Sequence, residues 1–149
     1  MAFFAIRGLS SLGDIAKAAT LARQAIGKVP GVGLELDNFE LAKLKWLAKG
    51  GRDFREVTPK MLNRMGEAFS RALAKVIARK ADPTMPWVAA AQEYVDILAE
   101  RLATGGGDVK SHMTPLKPET IARKGNSRIG IDSGALLRAV ATAKVRLTR

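Results

Sequence analysis

The chain has 149 residues and a formal net charge of +11, from 25 basic and 14 acidic side chains, with one histidine and no cysteine. That length suits a single domain with a modest core. The missing cysteines exclude disulfides, thiolate metal sites and a cysteine nucleophile, and the lone His112 excludes metal sites built on several imidazoles. Aromatics make up only 5% of the chain, so Ala, Leu, Val, Ile and Met must fill most of the core. The longest apolar runs fall far short of the roughly 18 residues a membrane span needs. The apolar opening through Ile6 has no basic region before it and runs straight into Arg7 and Gly8, so neither a signal peptide nor a membrane partner is expected.

The first predicted element is a helix over about 8–28, where Leu12, Ile15, Ala19, Ala22 and Ile26 recur on one face. Val29-Pro30-Gly31 ends it, because proline cannot continue the ladder. Alternation in Val32-Gly33-Leu34-Glu35-Leu36-Asp37 predicts a short strand at 32–37. Asp37 through Glu40 has the form of a helix start. A Leu-rich stripe (Leu41, Leu44, Leu47, Ala48) then runs to Gly50-Gly51. Thr58 as cap and Pro59 in the first turn open a long amphipathic helix ending near Lys80. Its expected core face is Leu62, Met65, Phe69, Leu73, Val76 and Ile77. A further helix is expected at 86–103 on Val88, Ala91, Val95, Leu98 and Leu102. Gly105-Gly106-Gly107 then supplies a flexible joint. Residues 104–133 read as a long loop in which Pro118–Ala122 has room for a helical turn or two. A short helix follows over 134–141, and an edge strand over 143–149 with its basic residues outward. The fold class is therefore α+β, mostly helical.

Charge is uneven along this order. Residues 1–109 carry 16 basic and 12 acidic side chains, whereas residues 110–149 carry 9 and 2. A basic last third points to a polyanion, to an acidic protein surface, or to a solvated basic face. Lys117, Arg123, Lys124 and Arg128 lie close together, and Lys144, Arg146 and Arg149 follow. Such a stripe neutralises phosphates without reading bases. No aromatic residue lies after Tyr94, so this part of the chain has no platform for stacking bases.

Enzyme motifs are missing. No phosphate-binding GxxxxGK[ST] occurs, and the glycine triplet follows a helix rather than a strand. Ser133 lacks the GxSxG setting, and one distant histidine makes no triad. His112 reads as a surface histidine with no acidic neighbour closer in sequence than Asp108. Asp96 and Glu100, beside Arg101, read as a solvated charged face. No catalytic residue, cofactor or metal is expected.

Two stretches carry a more specific signal: Thr114-Pro115-Leu116-Lys117-Pro118-Glu119-Thr120-Ile121-Ala122-Arg123-Lys124-Gly125, and Ile131-Asp132-Ser133-Gly134-Ala135-Leu136-Leu137-Arg138-Ala139-Val140. In their physical reading, Asp132 or Ser133 caps the helix that begins near Gly134, and Leu136, Leu137 and Val140 anchor it. In pattern and spacing they resemble the virion-morphogenesis and tail-completion proteins of bacteriophages, a group also similar to the neck proteins of long-tailed phages. Two positions depart from that pattern: Ser133 stands where threonine is usual, and Met113-Thr114 where a tryptophan often precedes Pro-Leu. The helix at 86–103 is also longer.

The resemblance implies a domain over 32–149 preceded by a helical extension at 1–31. It implies a non-enzymatic structural subunit of a tailed-phage virion, made in the host cytoplasm and placed at the head–tail neck or tail terminus. There it would form a homo-oligomeric ring with portal-side, neck or tail proteins as partners. Lys117, Arg123, Lys124 and Arg128 would then line a channel, touching passing DNA without specificity, or meet an acidic partner. A nonspecific nucleic-acid-binding protein with a basic C-terminal arm is the alternative.

Overall fold

A computed structural model describes residues 31–78, 80–125 and 134–148, together with Thr20 and Ala22. The described part is mostly helical. Its order is β1 (Gly31–Glu35), α1 (Asn38–Lys49), α2 (Pro59–Ile77), α3 (Met85–Ala103), a 3-10 helix (Gly107–His112), α4 (Pro118–Lys124), α5 (Ala135–Ala141) and β2 (Lys144–Thr148). β1 and β2 pair antiparallel, with Gly31 opposite Thr148 and Glu35 opposite Lys144. Most of the expected 1–31 extension, and with it all of the stripe from Leu12 to Ile26 but Ala22, falls outside the described residues.

Local chemistry sets the helix starts. Asp37 accepts a 2.7 Å hydrogen bond from the Phe39 amide and opens α1. Thr58 accepts from the Met61 amide at 3.2 Å and opens α2, with Pro59 in the first turn, where its missing N–H costs nothing.

The antiparallel pair α2–α3 is the most extensive packing among the described elements. The buried line on α2 is Met61, Ala68, Ala72 and Val76. It is rotated from the expected one: Leu62 is 56% exposed, and Phe69 and Leu73 sit at the edge. Small residues at 68 and 72 let the helix axes approach, and the larger side chains flank the seam. At that flank the Phe69 and Trp87 rings meet edge to face, 5.0 Å between centroids. A second cluster gathers Leu44, Phe54, Leu98, Leu102, Val109, Met113, Leu136 and Val140, drawing on α1, α3, the 3-10 helix and α5.

The expected loop at 104–133 is corrected by this packing. Within its described part lie a 3-10 helix that was not expected and α4, where Pro118–Ala122 had room for a helical turn or two. Val109 and Met113 are core residues there, and burial holds the backbone in place. The glycine triplet is a tight turn, not a flexible joint. All three residues have positive φ, and a Cβ on Gly106 would lie 2.9 Å from Lys110 Cα.

Candidate functional site

The most constrained polar group is Arg101, on α3, only 1% exposed. Its Nη1 donates to the carbonyls of Phe54 (2.8 Å) and Glu56 (2.7 Å). Nε and Nη2 donate to Asp108 Oδ1 and Oδ2 at 2.8 and 3.1 Å. The Thr58 hydroxyl, already capping α2, donates to Asp108 Oδ2 at 2.9 Å. One guanidinium thus ties α3 to the 54–58 segment, to the start of α2 and to the 3-10 helix. The hydrogen bonds from Arg101, and then from Thr58, hold the Asp108 carboxyl at about 2, below its ordinary 3.8, against the opposing effect of burial.

Beside this group Arg64 spans α2 and α3, reaching Glu100 at 2.6 Å and Glu93 at 2.7 Å. The hydrogen bond with Glu100 is the main cause of a raised Arg64 pKa, and the same bond lowers that of Glu100. Glu100, its side chain 59% exposed, lies on the solvated face expected of it and is also half of an interhelical clamp. His112 likewise has an acidic neighbour that spacing did not show: its Nδ1 lies 3.0 Å from Glu56 Oε1. A cavity of about 250 Å³ lies between Lys60, Arg64, Ile97, Glu100, Arg101 and Asp108. Its walls pair Arg64 with Glu100 and Arg101 with Asp108. Among the described residues no three His, Asp or Glu side chains converge as metal ligands.

The chain leaves this region at Thr114, the start of the sequence signal, and is gripped there. The Thr114 amide donates to the Gly51 carbonyl at 3.0 Å. Arg52 donates to the carbonyls of Thr114 (2.8 Å) and Pro115 (3.0 Å). Gly51 is needed for this contact, because a Cβ there would stand 2.5 Å from Thr114 Oγ1. Leu116 then packs against the core. At the far end of the signal Leu136 and Val140 are buried and Leu137 packs against them.

Between those anchors α4 buries no residue and has no extended contact with another helix or strand. Lys117 precedes it and Arg123 lies in its last turn, both exposed and in no ion pair among the described residues. Lys124, next to Arg123, is partly buried. Lys117 thus stands at the start of one short helix and Arg123 and Lys124 at its end, while Arg128 lies outside the described residues. So do Asp132 and Ser133. The N-cap position of α5 belongs to Gly134, with φ of +80°, and the capping expected of Asp132 or Ser133 lies outside the described residues.

Sequence reasoning missed Phe54, Arg52 and Arg101. Only Arg101 left a signal, since it shares the face of Leu98 and Leu102 on α3. Comparison with family models, with curated protein sequences and with solved structures gives no match for this chain.

Proposed function

We propose that this protein is a non-enzymatic structural subunit of a tailed-phage virion, forming a homo-oligomeric ring at the head–tail neck or the tail terminus. The observation that carries the reading is the spacing from Pro115 to Leu137, with its Pro-Leu pair, Thr120, Lys124 and the Asp-Ser-Gly-x-Leu turn. The geometry around it supports that reading. Both ends of the stretch are fixed, by Arg52 at Thr114 and Pro115 and by Leu136 and Val140 in the core. The middle presents α4 outward. A ring needs one surface that meets a different surface of the next copy, and a short helix with exposed Pro118, Glu119, Ala122 and Arg123 is suited to meet such a neighbour.

In this reading Lys117, Arg123, Lys124 and Arg128 face an acidic surface or a DNA-filled channel. The alternative, a nonspecific nucleic-acid-binding protein with a basic C-terminal arm, is favoured by the unpaired charges of Lys117 and Arg123. Sizing with light scattering and electron microscopy of nuclease-treated protein, in low and high salt, separates the two. A closed oligomer of one stoichiometry in both salts supports the ring. A monomer that forms only salt-sensitive complexes with added DNA overturns it. Charge reversal of the four basic residues that left assembly and infectivity intact would remove their assigned role.

A further inference from the structure

The outward face of α1 is unlike the outer face of the other helices. Phe39, Ala42, Lys45, Trp46 and Lys49 are all exposed, within one arc of the helix. Trp46 is 69% exposed and Phe39 67%, the two most exposed large apolar side chains among the described residues. Lys43 lies over the Phe39 ring at 4.6 Å and pairs with Glu40 at 3.3 Å, so that ring is already covered by a cation. The Trp46 ring instead borders an open hollow of about 330 Å³ shared with Lys49, Gly50 and Arg52. Lys45, Lys49 and Arg52 have no carboxylate partner among the described residues; Arg52 meets only backbone carbonyls. Those carbonyls belong to Thr114 and Pro115, so the exposed Lys117 follows two residues beyond the same spot.

We propose that this face binds single-stranded nucleic acid, with a base stacked on Trp46 in the hollow and the flanking phosphates on Lys45, Lys49 and Arg52. A flat exposed indole among uncompensated cations is the combination that such binding uses: stacking is tolerant of base identity, and the cations track the backbone. The C-terminal segment has charge without an aromatic platform, and α1 supplies the platform beside it. The same face of a second copy is a poor occupant, because Lys45, Lys49 and Arg52 would meet their own like charges. A lipid surface is poorly matched too, since of the leucines of α1 Leu44 is buried and Leu47 packs partly against the core, leaving no broad apolar face outward. The proposal stands apart from the ring reading, whose test is oligomeric state.

The experiment uses the full-length, nuclease-treated protein and a labelled oligothymidylate of about 20 nucleotides, followed by anisotropy and tryptophan quenching. Salt-dependent binding with a log–log slope of about −2 is expected for three phosphate contacts on a single strand. Trp46→Ala should weaken binding about fivefold or more, and Trp46→Phe should restore most of it. Lys45→Gln with Lys49→Gln should reduce the slope to about −0.7. These side chains are exposed, so thermal melts of the variants should match the parent. Equal binding by Trp46→Ala would overturn the proposal, as would a duplex bound as tightly as the single strand. So would an indole signal that answers only to anionic phospholipid vesicles, to an acidic protein or to self-association.

Discussion

Arg101 and Asp108, seven residues apart, meet through two hydrogen bonds of 2.8 and 3.1 Å across the glycine turn that ends α3. The pair works as a staple, because the same guanidinium also holds the Phe54 and Glu56 carbonyls. Replacing Arg101 by Ala strands a partly buried carboxylate and two carbonyls. A loss of about 3–5 kcal/mol is expected, as for other broken buried pairs, and urea unfolding measures it. Asp108→Asn should cost about 1–3 kcal/mol. A double-mutant cycle between the two should show coupling above about 1 kcal/mol.

Acid should weaken this staple within a defined window. The folded Asp108 carboxyl titrates at about 2 against an ordinary 3.8. Below pH 3.8 the unfolded chain takes up this proton more readily than the folded one. The contribution is therefore full above that pH and is lost as pH falls through about 2. The stability difference between the parent and Asp108→Asn, followed against pH, should be flat near neutrality and shrink between pH 4 and 2. A difference that grew on acidification would contradict the assignment.

Two glycines should respond to alanine with opposite signs. Gly66 lies inside α2 with open space where a Cβ would stand, so Gly66→Ala should stabilise by about 0.5–1 kcal/mol. Gly106 has φ of +133° and its Cβ would meet Lys110 backbone at 2.9 Å. Gly106→Ala should cost about 2 kcal/mol or more. Thermal melts of the two variants check both signs.

Arg52→Ala should act locally. It removes two hydrogen bonds to the segment that leads into α4, each worth about 0.5–1.5 kcal/mol. Amide exchange at Thr114 should accelerate about fivefold or more, while the α2–α3 amides keep their protection. Equal acceleration in both places would show that Arg52 supports the whole domain.

Helix positions were readable where period and end chemistry agreed. The threonine cap with Pro59 marks the start of α2, and Asp37 marks α1. The buried line on α2 was less readable. Leu62 and Ala68 differ greatly in hydrophobicity, yet the tight approach of α3 favours the small residue at the seam. The 3-10 helix after α3 escaped notice because tertiary contacts make it: Val109 and Met113 are drawn into the core, and Asp108 is held by an arginine that looks solvated in the sequence; α4 and α5 lie where a helical turn or two and a short helix were expected. A basic residue in register with Leu98 and Leu102, with an aspartate seven positions on, was the available clue. The His112–Glu56 contact joins residues 56 apart and left no local trace. Of the candidate basic residues, Lys117, Arg123 and Lys124 flank or end the short helix α4. Spacing gave no hint that α1 carries an exposed tryptophan near where they begin.

The α2–α3 hairpin also bears on the order of folding events. Its two helices are sequence neighbours, so little loop entropy opposes their meeting, and they are the natural place for structure to start. The Arg101 staple gathers a segment from before α2 and another from after α3, and it closes once the hairpin exists. Interactions formed after the transition state act mainly on the unfolding rate. Arg101 therefore governs how long the folded state lasts more than how quickly it is reached.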